Sequence, residues 1–171
     1  AQDVSPATVL QVSQILTEAY LEMIQGQCLD LNFESRTDIK PNEYLYMIAC
    51  KTGALIRSAL QIGALLATED QAAMKAFAEF GNHLGQAFQI RDDYLGIWGD
   101  QATLGKATDS DIRRRKKSYP VVFALEKASG RAMEDLLRIY EQEELEEDDV
   151  QRVMAVLDEV GSRENSQRLT E

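Results

Sequence analysis

The chain has 171 residues, 44% of them hydrophobic, which suits one globular domain with a sizeable core. Its 29 acidic and 18 basic residues give a net charge of −11, which argues against a nucleic-acid partner because such proteins carry a surplus of Lys and Arg. No run of about 18 apolar residues occurs, so no transmembrane segment is predicted. The start also lacks the basic and apolar regions of a signal peptide. We therefore expect a cytoplasmic protein.

The first predicted helix begins with Ser5 as its N-cap and Pro6 at its first helical position. From there apolar residues recur at three- and four-residue spacings, as on one face of a helix, to about Phe33. The two cysteines, Cys28 and Cys50, stand within apolar helical patterns and lack the spacing of a metal or redox motif. We expect both to be reduced residues of the core.

Two more long helices are predicted before the middle of the chain. A polar loop over 34–40 leads to a helix over about 41–67, which is nearly all apolar and is therefore expected to be buried on most sides. A third helix follows over about 68–98.

The rest of the chain is also predicted to be helical. After a loop over 99–110, Pro120 lies just inside a shorter helix that Gly130 stops, and two or three short amphipathic helices follow, separated by the acidic run 141–149. The β-branched residues are scattered at helical spacing, so no strand is predicted. No internal repeat and no flexible linker is visible. The sequence predicts an all-α protein with a single domain over residues 1–171.

Two carboxylates interrupt the pattern of the third helix. Asp92 and Asp93 are adjacent, and Gln89 lies about one turn before them on the same face. Adjacent carboxylates in a partly buried place repel each other unless a cation lies between them. Oxygen ligands suit Mg²⁺, which also binds phosphate oxygens. A magnesium site is one interpretation, and two solvated acids at a helix end are the other.

Polar residues that suit an anion lie elsewhere in the chain. Lys51 and Thr52 interrupt the apolar run of the second helix. Lys106 directly follows the loop residue Gly105, and Lys116 lies ten residues after Lys106. Each lysine taken alone also fits an ordinary solvated surface. Asp30 is a further acid in an apolar neighbourhood. Together these residues predict a helical cavity with carboxylates on one wall and lysines on another.

Four segments carry a resemblance to a known family. They are GQCLDL (26–31), KTGAL (51–55), FQIRDDYLGIWGD (88–100) and a stretch over 105–120 with Gly105-Lys106, Asp111-Ile112, Lys116, Ser118 and Pro120. In order and separation they resemble motifs of the trans-isoprenyl diphosphate synthases, the polyprenyl synthetase family. The third segment resembles the second aspartate-rich motif, in wording most similar to bacterial geranylgeranyl-diphosphate-synthase-type members. The resemblance implies an isoprenoid-synthase-type helical bundle around a central cavity.

The resemblance also implies an activity and a role for individual residues. The activity is a magnesium-assisted, head-to-tail (1′–4) condensation of an allylic diphosphate with isopentenyl diphosphate by a homodimeric prenyltransferase. Asp92 and Asp93 would bind Mg²⁺, Thr52 and Gln89 would face the developing allylic cation, and Phe88 would line the prenyl-tail pocket. Three lysines would contact the allylic diphosphate: Lys51, Lys106 and Lys116. The implied catalytic residues are Lys51, Thr52, Gln89 and Asp92.

The sequence departs from the family pattern in two ways. Gly96 stands where the motif usually has its third aspartate, and Asp100 lies one turn further on. The first aspartate-rich motif and the segment that binds isopentenyl diphosphate are absent, so we expect a C-terminal fragment that is inactive alone. A class I terpene synthase or cyclase remains an alternative, although the segment over 105–120 argues against it. A non-catalytic regulatory subunit of a prenyl diphosphate synthase is the other.

Overall fold

The computed structural model describes residues 4–99 and 109–171, and this part of the chain contains no strand, which confirms the predicted all-α class. A π-helical segment, Ala49–Gly53, lies between the second and third α-helices. The α-helices are α1 (Pro6–Phe33), α2 (Pro41–Ile48), α3 (Ala54–Ala67), α4 (Gln71–Trp98), α5 (Ser110–Arg113), α6 (Tyr119–Lys127), α7 (Gly130–Glu141), α8 (Glu147–Glu159) and α9 (Ser162–Arg168). The described helices include no candidate for a membrane span.

Local capping explains where the long helices begin. Ser5 Oγ accepts the backbone N–H of Thr8 at 3.1 Å, so α1 begins at the predicted cap. Asp70 Oδ1 accepts the N–H of Ala72 at 2.8 Å, and α4 accordingly begins two to three residues later than predicted. The second predicted helix is continuous in outline, but it is π-helical in its middle.

One predicted stop signal is wrong. α6 ends at Lys127 because Ala128 and Ser129 are already extended. Gly130, predicted to stop that helix, instead begins α7 with a φ of 53°. The left-handed conformation suits glycine, which here turns the chain into the next helix.

The internal contacts divide the chain into two compact units, residues 1–30 with 45–86 (unit 1) and residues 31–44 with 87–171 (unit 2). In unit 1 most residues of the second predicted helix are buried or half-buried, although Tyr46 and Leu66 are exposed. Cys28 is exposed as well, so its prediction as a core residue is wrong, whereas Cys50 is buried and both thiols are free. Cys28 lies one turn after the exposed Ile24, on a face of α1 that no described part of the chain covers.

Unit 2 contains a closed hydrophobic core. Its centre is formed by fully buried side chains of α6, α7 and α8, among them Val121, Leu136, Ile139, Val153 and Leu157. α9 is fastened to α6 by Ser162 Oγ, which donates to the carbonyl of Pro120 at 2.6 Å. This core fixes the N-terminal end of α6, whose first residue contacts the site described below.

Candidate active site

Unit 1 contains the π-helical segment that carries Lys51 and Thr52. Helices α1 and α4 approach its backbone closely through glycines: a Cβ on Gly26 would overlap the backbone of Lys51, and one on Gly85 would overlap Gly53. Only glycine permits such an approach. π-Helical segments inside α-helices are frequent at functional sites, because they re-aim the side chains that they carry.

An ion pair holds the side chain of Lys51. Its Nζ lies 2.5 Å from Oδ2 of Asp30 on α1, and about a third of each side chain is exposed. Asp30 is the one carboxylate that Lys51 contacts within the part of the chain that the structure describes. An ammonium group has three N–H bonds. Lys51 is therefore positioned by Asp30 and retains donors for a phosphate group.

In unit 2 the two motif aspartates have different surroundings, and Asp93 is fully buried. Its Oδ2 accepts the hydroxyl of Tyr44 and the backbone N–H of Tyr119, the latter at 3.0 Å. Its Oδ1 accepts Lys116 Nζ at 2.8 Å and Gln89 Nε2 at 3.4 Å. Both oxygens of Asp93 are thus engaged by donors of the chain itself, as buried carboxylates require.

Asp92, one residue earlier, is exposed. Its Oδ2 accepts only a long hydrogen bond from Gln89 Nε2, at 3.4 Å, among the described residues. No group of three His, Cys, Asp or Glu side chains within residues 4–99 and 109–171 is arranged to hold a metal ion. Mg²⁺ often takes one or two carboxylates and completes its shell with waters and substrate phosphates. Asp92 fits a magnesium ion that is shared with a phosphorylated substrate.

Lys116 lies between two carboxylates of unit 2. Its Nζ is 2.8 Å from Asp93 and 3.2 Å from Oδ2 of Asp111. Burial lowers the pKa of Lys116, but the attraction of the two carboxylates outweighs burial, and the net shift is upward. The pKa of Asp111 is raised above its ordinary value, chiefly by burial and also by the charges of Asp93 and Asp92, although Lys116 lowers it. Lys116 is therefore a charged group that the chain itself already binds.

The backbone around Lys116 is unusual. Arg115, just before it, is left-handed with a φ of 53°, and its guanidinium donates to the carbonyl of Gln142. A non-glycine residue in this region costs of order 1 kcal/mol or more and persists only when its surroundings hold it. The turn at Arg115 points the next residue toward Asp93.

The structure accounts for the predicted residues to different degrees. In unit 2 it brings together Gln89, Asp92, Asp93 and Lys116, whereas Phe88 is 60% exposed. Lys106 lies outside the described residues. Reasoning from the sequence missed three contributors: Tyr44, Asp111 and Tyr119. The signal for the two tyrosines was the demand of a buried aspartate for donors, which a single sequence cannot match to particular partners.

Comparisons with known proteins identify the family to which this chain belongs. Residues 2–157 match the family described as polyprenyl synthetase. The chain belongs to the polyprenyl synthetase family. Among its relatives is the geranylfarnesyl diphosphate synthase of Aeropyrum pernix, 38% identical over 149 residues, which are 87% of this chain and 46% of the relative. The geranylgeranyl diphosphate synthase of Sulfolobus acidocaldarius is 43% identical over 119 residues, 70% of this chain and 36% of the relative.

Solved structures of polyprenyl synthetases agree with this assignment. The geranylgeranyl pyrophosphate synthetase of Pyrococcus horikoshii has a TM-score of 0.91 at 31% identity over 98% of this chain and 51% of its own. The geranylgeranyl pyrophosphate synthase of Corynebacterium glutamicum, complexed with isoprenyl diphosphate and magnesium, has a TM-score of 0.85 at 26% identity over 97% of this chain and 47% of its own. The predicted family and isoprenoid-synthase-type fold are confirmed. The chain spans between about a third and a half of the length of these relatives.

Proposed function

We propose that the whole protein is a prenyltransferase that condenses an allylic diphosphate with isopentenyl diphosphate and lengthens the chain head to tail. The observation that carries the proposal is the different environment of two adjacent aspartates in a polyprenyl synthetase. Asp93 is buried and satisfied by the chain, while Asp92 projects an exposed carboxylate from the same helix turn. Such a pair provides one metal ligand on a rigid support.

The proposed roles follow from these contacts and from the family motifs. Asp92 is the carboxylate that holds Mg²⁺, and Lys51 and Lys106 bind the diphosphate. When bound, Mg²⁺ supplies positive charge that stabilises the leaving diphosphate. Asp93 and Lys116 receive a revised role, since their polar atoms are used within the chain: they position Asp92 and the start of α6.

The organic half of the substrate requires different residues. As the carbon–oxygen bond breaks, positive charge develops on carbon, and neutral oxygen dipoles stabilise it without reacting. Thr52 and Gln89 fit this role by their chemistry. Phe88 is assigned to the prenyl-tail pocket, where an apolar wall keeps water from the cation. Relatives of this chain are named as farnesyl, geranylgeranyl and geranylfarnesyl diphosphate synthases, so their names span several product lengths.

The proposal also includes the oligomeric state and the cellular location of the whole protein. Large apolar side chains of α1 and α4 in unit 1 are exposed, among them Leu10, Leu21, Ile24, Phe77 and Phe80. Exposed apolar surface of this extent marks an interaction surface, which supports a homodimer. A cytoplasmic location suits a protein whose proposed substrates are small diphosphates.

An assay with the full-length protein tests the proposal. The protein is incubated with Mg²⁺, labelled isopentenyl diphosphate and geranyl or farnesyl diphosphate, and the products are extracted. We expect a longer prenyl diphosphate, and none from the 171-residue chain alone. A hydrocarbon formed from the allylic substrate without isopentenyl diphosphate would indicate a cyclase instead. No turnover by itself, together with stimulation of an active homologue, would indicate a regulatory subunit.

A further inference from the structure

The carboxylate of Asp111 occupies the space next to Gly96. A Cβ built on Gly96 would lie 2.5 Å from Oδ2, 2.6 Å from Cγ and 2.9 Å from Oδ1 of Asp111. These distances are shorter than van der Waals contact, so no side chain fits at position 96 while Asp111 keeps its place. The position where the family motif usually has an aspartate is therefore filled by a carboxylate from another part of the chain.

Several contacts hold Asp111 against α4. The backbone N–H of Asp109 donates to the carbonyl of Ile97 at 3.2 Å, and Ser110 Oγ donates to the carbonyl of Gly96 at 3.5 Å. The N–H of Lys116 donates to the carbonyl of Asp111 at 2.9 Å, closing a turn across Arg115. The side chain of Asp111 is only 13% exposed. Its location is thus fixed by backbone contacts at both ends of α5.

The same carboxylate contacts Lys116. Asp111 Oδ2 lies 3.2 Å from Lys116 Nζ, whose other carboxylate partner is Asp93 at 2.8 Å. Carboxylates next to a half-buried ammonium favour its charged form. Without Asp111, Asp93 would be the only one of these two carboxylates in contact with Lys116 Nζ, and the other side of the ammonium would face the space beside Gly96.

We propose that Asp111 is a positioning residue that replaces the third aspartate of the motif: it fills the space that Gly96 leaves and, with Asp93, holds Lys116. The side chain of an aspartate at position 96 would begin in the space that the carboxylate of Asp111 now occupies. The two positions are therefore exchangeable, so that a carboxylate from residue 96 can take over when residue 111 has none. The effect on catalysis rests on the proposed prenyltransferase function, whereas the exchange itself does not.

The exchange is tested first by thermal unfolding of the metal-free full-length protein. Gly96→Asp alone forces two carboxylates into one space and lowers the melting temperature, and Asp111→Gly alone leaves Lys116 with one partner and lowers it too. The double variant Gly96→Asp/Asp111→Gly is expected to recover most of the loss, because neighbouring residues that share a contact are non-additive. A melting temperature for the double variant that equals the sum of the two single losses would overturn the proposal.

Turnover separates a charged role from simple filling of space. Asp111→Asn retains the shape of the side chain, so we expect a folded protein with kcat reduced about 10²-fold and little change in the KM for isopentenyl diphosphate, as for a misplaced catalytic group. The kcat of the double variant Gly96→Asp/Asp111→Gly should exceed the kcat of Gly96→Asp by roughly tenfold or more, and by no more than about 10²-fold. Normal kcat in Asp111→Asn would overturn the positioning role. Asp135→Asn, a mostly buried carboxylate of α7 that pairs with Arg152, is the matched control and should leave kcat unchanged.

The two readouts distinguish the possible failures. If the wild-type protein shows no condensation, the proposed function fails, while the melting temperatures of the four proteins still decide whether residues 96 and 111 are exchangeable. If condensation occurs but the exchange variant is no better than Gly96→Asp in either readout, the further inference fails and the proposed function stands.

Discussion

The two units differ in how they treat apolar side chains. Unit 2 buries Val121, Leu136, Ile139 and Leu157 completely in one cluster that several helices share. Unit 1 has long helices that are also rich in apolar residues, yet side chains such as Leu10, which is 71% exposed, lie on its surface. The difference shows that helical periodicity predicts which face of a helix is apolar. Whether that face is buried depends on which other helices pack against it.

The site residues follow the same division. In unit 2 the polar network around Asp93 adjoins a closed core and satisfies its own hydrogen bonds. In unit 1 Lys51 is carried by a π-helical segment that two glycine contacts support. Unit 2 is thus a rigid support for its carboxylates, and unit 1 depends on close backbone packing. The predictions below test this contrast, from the largest expected effect to the smallest.

Asp93→Ala is expected to cause the largest loss of stability. It removes the buried acceptor for Tyr44, Tyr119 and Lys116 and leaves the half-buried Lys116 without one of its partners; breaking a buried pair typically costs about 3–5 kcal/mol. Urea denaturation of the 171-residue chain, followed by circular dichroism, measures the loss. The control is Asp92→Ala, an exposed position that should change the free energy of unfolding by no more than about 0.5 kcal/mol. Equal effects of the two variants would contradict the separate roles of the two aspartates.

A matched pair of leucines compares the two units directly. Leu157→Ala empties a fully buried position of unit 2 and should cost about 2–5 kcal/mol. Leu10→Ala, on the exposed face of unit 1, should change stability by about 0.5 kcal/mol or less. The same urea titration measures both. A large loss for Leu10→Ala would mean that the face of α1 is covered in solution, and self-association measured by light scattering would then identify the cover.

Glycine substitutions test the close packing around Lys51. Gly26→Ala places a methyl group against the backbone of Lys51 and should destabilise unit 1 by about 1–3 kcal/mol, as overpacking does. Gly63→Ala is the matched control, because a Cβ there meets nothing within 4 Å. At that exposed helical position alanine should stabilise by up to about 1 kcal/mol. Hydrogen exchange of the α3 amides would detect both changes, and an unaffected Gly26→Ala variant would refute the packing argument.

The smallest effect concerns an ion pair on unit 2. The hydrogen bond from Arg152 holds the pKa of Asp135 below its ordinary value, with help from the charges of Arg131 and Arg138. A lowered pKa in the folded state contributes stability above the unfolded value of about 3.9, and the contribution disappears as the pH falls through the folded value. Wild type should therefore exceed Asp135→Asn in melting temperature at pH 7, and the difference should close below about pH 4. A difference that persists at pH 2.5 would point to packing instead.

The sequence predicts a helix start where the signals at that start are local. Ser5 and Pro6 mark the first turn of α1, and the acidic run ends in a capping box between Glu146 and Asp149. The π-helical segment could not be predicted in this way. It depends on the approach of Gly26 and on other contacts distant in sequence, and nothing in the residues from 49 to 53 themselves distinguishes it from an α-helix.

The candidate site shows the same limit at the level of single residues. The pattern predicts that Asp92 and Asp93 matter, but one step along a helix turns a side chain by about 100°. Which of the two faces inward depends on Tyr44 and Tyr119, which lie 49 and 26 residues from Asp93. Lys116 was likewise predicted to contact a diphosphate, and its contacts with two carboxylates support a positioning role instead.

The central claim is that Asp92 holds the metal of a prenyltransferase, and kcat of the full-length protein with allylic and isopentenyl diphosphates tests it most directly. Asp92→Ala should lower kcat at saturating Mg²⁺ by about 10²–10³-fold, as the loss of a group that stabilises transition-state charge does. Lys51→Ala should lower it less, because Lys51 is one of several cations assigned to the diphosphate. Near-normal turnover of Asp92→Ala would show that Asp92 is an ordinary solvated acid at the surface of α4, and would contradict the account.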